Sequence, residues 1–238
     1  MFRVTVENEV VFEGKMKKIG GGGTKSAFEL IGTDNVVLLP NATDGPSLVS
    51  IFDRICNEEV FMNNKLNSID ILGLNVTNCT VQKIDDESSP LMQGLYARSF
   101  SSFTKDLAHV VDRKELLKCT WTYKEPVSDW VSVFEPLIKD LIKVVDAGIY
   151  PWGDSYNLLI AEKGSPYYTG SGQYAVRYFG FDFSSKRYIL SSFEDLSNIK
   201  TKFVKSALSE AVDDICKYIA ELPDNFDEIK NHLFTLIK

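Results

Sequence analysis

The first hundred residues alternate between apolar and polar positions with the two-residue period of β-strands. Residues 2–12 alternate in this way and predict a half-buried strand. The alternation resumes at Ser26–Ile31 after four consecutive glycines, Gly20–Gly23, which predicts a strand, a glycine loop and a strand. Further elements are predicted as a strand at Asn35–Pro40, a helix from Asp44 to about Asn63, and strands at Ile69–Val81 and Leu91–Phe100. The order of this half is therefore β-β-β-α-β-β.

The second half carries mainly helical periodicity. Ser128–Ala147 has one apolar stripe at three- and four-residue steps, with Ser128 as the expected N-cap and Gly148 just past the end. The remaining predicted elements are a small hairpin from Leu158–Ile160 and Tyr174–Phe181, and helices at Lys202–Leu222 and Phe226–Ile237. These patterns predict an α+β fold of two parts, residues 1–98 and 99–238, with the small residues of Ser99–Ser102 as a hinge.

Composition narrows the class of protein. The chain of 238 residues is 44% hydrophobic, which is enough for a sizeable core. The net charge of −7 argues against a binder of duplex DNA, and we expect no nucleic-acid partner. No apolar run is long enough to cross a bilayer, and the amino-terminal residues do not resemble a targeting peptide. Four scattered cysteines without a CxxC pair fit a reducing compartment, so we expect a cytoplasmic location.

The glycine run is the first feature with chemical interest. Glycine loses more backbone entropy on folding than other residues, so four in a row indicate a backbone that approaches a ligand closely or adopts positive φ. The backbone N–H groups of Gly20, Gly21, Gly22 and Gly23 could cradle phosphate oxygens, although a plain hairpin tip explains them equally well. Lys25 follows the run, and Glu59 on the predicted helix is a candidate partner for it, if it is more than a solvated residue.

Two later segments carry oxygen ligands. Asp154 and Asn157 lie in a polar loop between the long helix and an apolar segment, and their side-chain oxygens suit Mg²⁺. Asp154 could also accept a hydroxyl proton. Asp182 stands in an aromatic segment, where a carboxylate needs a metal ion or a lysine to compensate its charge. Capping and turn roles remain open for the loop residues.

In this order, the features resemble the protein-kinase superfamily over about residues 10–200. The resemblance implies a two-lobed fold, with a five-stranded antiparallel N-lobe and a reduced, mainly helical C-lobe. It also implies that ATP lies under Gly20–Gly23 and contacts Lys25, which Glu59 would hold. Asn157 and Asp182 would bind Mg²⁺, and Asp154 would be the catalytic base. The short stretch after Asp182 is similar to the minimal kinases of bacteriophages and bacterial effectors, which would place the protein in a host cytoplasm.

The chain departs from the kinase pattern at two positions. Leu38 stands where the family carries its strand lysine, and Lys25 is similar to the relocated lysine of the with-no-lysine kinases, with Lys17 and Lys18 as alternatives. Trp152 stands five residues before Asn157, where the family has its base, so Asp154 could serve only in a shortened loop. We therefore expect a Ser/Thr protein kinase, or else a pseudokinase that binds a protein partner. An unrelated α+β interaction protein is the third hypothesis.

Overall fold

The computed structural model describes residues 1–21, 25–41, 46–86, 88–111, 127–149, 156–180, 196–216 and 224–237. The described residues separate into two compact units. The first takes in those within Met1–Lys65 and Gly73–Ser102. The second takes in Leu66–Leu72 and the described residues from Phe103 onward. The architecture is α+β, as the hydrophobic pattern predicts.

In the first unit, the described residues form an antiparallel sheet of seven strands. Its spatial order is β2-β1-β7-β8-β5-β4-β3, and one long helix, α1 (Pro46–Asn67), connects β5 to the later strands. The strands are β1 (Phe2–Val6), β2 (Glu9–Gly14), β3 (Met16–Gly21), β4 (Lys25–Leu30), β5 (Asn35–Pro40), β7 (Thr77–Lys83) and β8 (Met92–Arg98). The short strand β6 (Leu72–Gly73) belongs to a different sheet.

The prediction of a five-stranded first half is wrong, because residues 2–12 form most of a hairpin rather than one strand. Strands β1 and β2 pair antiparallel around Glu7 and Asn8, which have φ of 50° and 69°. A two-residue turn with both φ positive matches the twist of the flanking strands, and asparagine tolerates that conformation well. The alternation continues on both sides of the turn, so periodicity alone does not reveal the break.

The two faces of this sheet carry different apolar clusters. One face carries Leu38 and Leu95, which form a cluster with Cys56 and the half-buried Val60 of α1. The opposite face carries the larger cluster, which contains the buried residues Val4, Phe12, Leu30, Val37, Leu39, Cys79 and Val81. Because side chains alternate between faces along a strand, Leu38 and Leu39 point in opposite directions. Helix α1 therefore covers only one face of the sheet.

The described residues of the second unit form a small sheet and three α-helices. Its sheet has the order β6-β11-β10-β9, and the predicted hairpin is present as β10 and β11. The elements are β9 (Ala108–Val111), α2 (Trp130–Asp146), β10 (Tyr156–Glu162), β11 (Tyr174–Gly180), α3 (Leu196–Cys216) and α4 (Phe226–Thr235). Ser99–Ser102, the predicted hinge, overlaps a 3₁₀ helix at Phe100–Asp106. None of the helices among the described residues is long and apolar enough to span a membrane.

Helix α2 confirms the strongest predicted helix, with a correction at its start. The expected apolar stripe is buried, including Phe134, Leu137 and Leu141, each of which has no exposed surface. The N-cap is Asp129 rather than Ser128, because the Asp129 carboxylate accepts hydrogen bonds from the Ser132 backbone N–H (3.1 Å) and hydroxyl (2.5 Å). These hydrogen bonds lower the pKa of the Asp129 carboxyl. An aspartate at this position satisfies an N–H group that the helix itself leaves without a partner.

A buried ion pair fixes α2 to β11. Arg177 donates from Nε and Nη2 to the Asp140 carboxylate at 2.6 and 3.0 Å, and the Tyr178 backbone N–H donates to the same carboxylate at 3.2 Å. Burial raises the pKa of the Asp140 carboxyl, and the Arg177 guanidinium acts in the opposite direction. Two parallel N–H···O bonds restrict geometry as well as add energy. The pair therefore sets the position of β11 on the helix.

Candidate functional site

The first unit contains a buried ion pair between Lys25 and Glu59. Lys25 is the first residue of β4, two residues after the last glycine of the run, and its Nζ donates to Oε1 of Glu59 on α1. The side chains are only 11% and 4% exposed. This pairing, expected from the sequence, joins residues 34 positions apart along the chain.

Local packing explains why these two side chains meet. In the sheet register Lys25 lies opposite Pro40 and Ala27 lies opposite Leu38, so Lys25, Ala27 and Leu38 share the face that α1 covers. Cys56 of α1 packs in the cluster with Leu38, and Glu59 follows three residues later on the same side of the helix. These apolar contacts fix the position of α1 on the sheet, and this position allows Glu59 to form its hydrogen bond with Lys25.

Leu38, the position at which the resemblance to kinases would place a lysine, lies on the face of the sheet that α1 covers. Leu38 is buried in the apolar cluster under α1 rather than pointing to solvent. Lys25 lies on the neighbouring strand β4 and points to the same face of the sheet as Leu38. It therefore supplies a cation close to the apolar side chain of Leu38. The alternatives Lys17 and Lys18 are both exposed on β3, an edge strand. Among the described lysines, Lys25 is therefore the one that fits a role beside Glu59.

The buried pair is expensive to maintain. Removing two charges from water costs several kcal/mol for each ion, and their attraction often only balances that cost. A Lys–Glu pair in this environment is therefore weak support for stability. Buried charges often mark functional sites, but the Asp140–Arg177 pair is buried to the same degree. The position of Lys25 next to the glycine run, and not burial alone, therefore makes the Lys25–Glu59 pair the candidate site.

The glycine run is only partly described. Gly20 and Gly21 end β3, opposite Ala27 and Ser26 of β4, and the register shifts between Lys18 and Gly20. A side chain at Gly20 would meet no atom within 4 Å, whereas a Cβ at Gly21 would lie 2.9 Å from Ser26 Oγ. Gly22 and Gly23 lie outside the described residues. The short distance between β3 and the Ser26 side chain therefore requires glycine at position 21 but not at position 20.

Of the predicted metal-binding and catalytic residues in the second half, only Asn157 is described. It is buried at the start of β10, opposite Phe179 of β11. Asp154 and Asp182 lie outside the described residues. In the sequence, Asp154 comes two residues before the start of β10, and Asp182 comes two residues after the end of β11. Since β10 and β11 pair antiparallel with Tyr156 opposite Gly180, the chain enters and leaves this hairpin at the same end.

In the part of the chain that the structure describes, no three His, Cys, Asp or Glu side chains lie close enough together to hold a metal ion. The predicted Mg²⁺ ligands are Asn157 and Asp182, and the second of them lies outside the described residues. The Asn157 side-chain oxygen is a donor of the kind that Mg²⁺ accepts. A site there would need Asp182 as its anionic ligand.

One feature near the glycine run was missed in the sequence. A cavity of about 610 Å³ opens on the face of the first sheet opposite to α1. It is lined by Lys18, Gly20, Gly21, Ser26, Phe28, Leu39, Pro40, Asn41 and Met92. Its lining comes from three adjacent strands and from Met92 at the start of β8, so no local motif marks it. Only the register between the strands brings these residues together.

No protein-family model matches the chain, and a search of curated proteins finds no match either. The functional interpretation therefore rests on the residues and on their geometry.

Proposed function

We infer that this chain is an atypical protein kinase that transfers the γ-phosphate of ATP to a protein Ser or Thr hydroxyl in the presence of Mg²⁺. The single observation that carries this proposal is the buried Lys25–Glu59 pair. In protein kinases a strand lysine is held by a glutamate from the helix of the same lobe, and this pair must form for activity.

The topology of the first unit supports the same proposal. Five of its strands, β3-β4-β5-β8-β7, are consecutive neighbours in the sheet, and α1 follows β5 in the chain. The kinase N-lobe requires a fixed order of elements along the chain: a glycine hairpin, a central strand, a helix with a glutamate, and two further strands. Strands β1 and β2 extend this arrangement at its β7 edge. The second unit, with three helices and the β10–β11 hairpin, would be a reduced C-lobe.

Each residue has a role in the proposed reaction. Lys25 would contact the ATP phosphates, and Glu59 would keep its Nζ in place; the backbone of Gly20–Gly23 would cover the phosphates. Asn157 and Asp182 would hold Mg²⁺, which neutralises charge on the phosphates when bound. Asp154 would orient the acceptor hydroxyl and take its proton. Phosphoryl transfer depends mainly on positioning and charge neutralisation, so a departure from the usual loop spacing need not abolish it.

Incubation of the purified protein with γ-labelled ATP and Mg²⁺ tests the proposal. We expect label on the protein itself or on proteins of a lysate, and loss of label in Asp182→Asn and Lys25→Met. The matched control is Lys17→Met, which removes an exposed lysine from β3. Equal labelling by wild type and Asp182→Asn, or no labelling at all, would count against a kinase.

A pseudokinase is the second candidate, and Trp152 favours it, because an indole cannot accept a proton at the position of the family base. In that case the protein would bind Mg·ATP without transferring phosphate and would act through a protein partner. A thermal-shift measurement separates the two. ATP at about 100 times its Kd stabilises the folded state by about 2.7 kcal/mol. Stabilisation without labelling supports the pseudokinase, and the absence of both leaves an unrelated α+β interaction protein.

A further inference from the structure

We propose that the cavity beside the glycine run is a second ligand site, which takes a small amphipathic carboxylate: one anionic group on an apolar chain or ring. The site opens on the face of the sheet opposite to Lys25 and Glu59, and it shares only the backbone of Gly20 and Gly21 with the proposed nucleotide site. Ser26, Phe28 and Leu39 line it, and the register places them opposite in direction to Lys25, Ala27 and Leu38. Its size, about 610 Å³, is within the usual range for small-molecule sites.

The lining selects the apolar part of the ligand. Phe28, Leu39, Pro40 and Met92 give the cavity an apolar wall, and Phe28 and Met92 are only half-buried where they pack on the large cluster. Surface that is apolar and incompletely covered gains free energy when a ligand removes it from water. An alkyl chain or an aromatic ring would contact this wall.

The polar part of the lining selects an anion. Lys18 is the charged residue among the described residues that line the cavity, and no carboxylate stands with it there. Ser26 Oγ donates to Asn41 Oδ1 at 2.5 Å, so these two polar side chains of the lining are held to each other. The Lys18 ammonium is a hydrogen-bond donor, and a ligand carboxylate complements its charge.

Gly21 keeps the polar end of the cavity open. It lies opposite Ser26 in the register, and a Cβ there would stand 2.9 Å from Ser26 Oγ and 3.3 Å from the Lys25 carbonyl oxygen. Any side chain at this position would therefore press against the Ser26–Asn41 contact. Since β3 is an edge strand, its outer backbone N–H groups are also within the reach of a ligand.

The chain offers a matched control for the charge. Lys17 and Lys18 are adjacent and both exposed, but Lys18 lies opposite Phe28, on the cavity face, and Lys17 lies opposite Glu29, on the other face. Replacing either lysine by glutamine changes the net charge equally. Only the change at Lys18 removes the proposed carboxylate contact.

Octanoate and octanol are the probes, and calorimetric titration of the full chain is the measurement. We expect octanoate to bind about tenfold or more tightly than octanol, since a hydrogen bond to a charged group contributes that much. Lys18→Gln should reduce octanoate affinity by a similar factor, and Lys17→Gln should leave it unchanged. Met92→Trp, which fills the cavity, should weaken both probes.

Several results would overturn this site. They are failure of octanoate to bind, equal effects of Lys17→Gln and Lys18→Gln, or unchanged binding in Met92→Trp with a wild-type circular dichroism spectrum. The double variant Lys25→Met/Glu59→Leu distinguishes the two proposals, because it replaces both members of the buried pair and should weaken ATP binding while leaving octanoate affinity unchanged. Loss of octanoate binding in this double variant would show that the probe occupies the nucleotide site instead.

Discussion

Removing one member of the Lys25–Glu59 pair should destabilise the first unit far more than removing both. Lys25→Met leaves a carboxylate that is 4% exposed without its cation, and Glu59→Leu leaves an ammonium that is 11% exposed without its anion. Breaking a buried pair in this way costs about 3–5 kcal/mol, whereas replacing both members by apolar residues is often neutral or stabilising. The double variant should therefore lie within about 1 kcal/mol of wild type.

Urea denaturation followed by far-ultraviolet circular dichroism measures the effect, with hydrogen exchange of the β4 and β5 amides to locate it. At an m value of about 2 kcal/mol/M, a loss of about 4 kcal/mol moves the midpoint by about 2 M. The matched control is Arg3–Glu13, a pair on the same sheet in which both side chains are 43% exposed. Breaking that pair should cost less than about 1 kcal/mol. Additive losses at Lys25 and Glu59 would refute the reasoning.

Three further predictions concern other groups. Asp129→Ala should cost about 1 kcal/mol by removing the cap of α2, whereas Ser128→Ala should be neutral; urea midpoints compare them. Asp140→Asn should cost about 3 kcal/mol or more in the same assay, because Arg177 stays buried without its carboxylate. Burial raises the pKa of the Cys79 thiol from 9.0 to about 12, so alkylation at pH 8, mapped by mass spectrometry, should be about a thousandfold slower in native than in urea-unfolded protein.

Each of these has a contrary outcome. Equal losses of stability in Asp129→Ala and Ser128→Ala would contradict the assignment of Asp129 as the N-cap of α2. A wild-type urea midpoint for Asp140→Asn would mean that water replaces the carboxylate as a hydrogen-bond partner of the Arg177 guanidinium. The raised thiol pKa of Cys79 also means that stability falls as pH rises from about 9 toward 12, because only the unfolded thiol loses its proton. Cys79→Ser should lack this dependence, and its persistence would assign it to other groups.

Much of the secondary structure follows from periodicity, and the errors have physical causes. The apolar stripe of α2 is long and regular, so the prediction of that helix holds. Periodicity does not reveal the hairpin at residues 2–12, because its turn at Glu7 and Asn8 contains no glycine or proline. Serine and aspartate are both good N-caps, so the sequence allows Ser128, and only the geometry identifies Asp129 as the cap of α2.

The candidate site is also only partly predictable from the sequence. A glycine run followed by a lysine predicts a phosphate-binding loop, and the pairing of Lys25 with Glu59 agrees with the expected order of elements. The cavity lined by Lys18 and Met92 was not predictable, since its walls come from strands whose register is set by tertiary packing. Asp154 and Asp182 lie outside the described residues, so their proposed roles depend on the sequence alone.

Titration of the Lys25→Met/Glu59→Leu double variant with ATP and Mg²⁺ tests the central claim most directly. Because this variant is expected to fold as stably as wild type, a loss of binding cannot be attributed to unfolding. The account predicts that wild type binds Mg·ATP and that the double variant binds it at least about tenfold more weakly, since a charged contact to phosphate is lost. Equal affinities would mean that the buried pair has no part in nucleotide binding, and the kinase-like interpretation would fail with it.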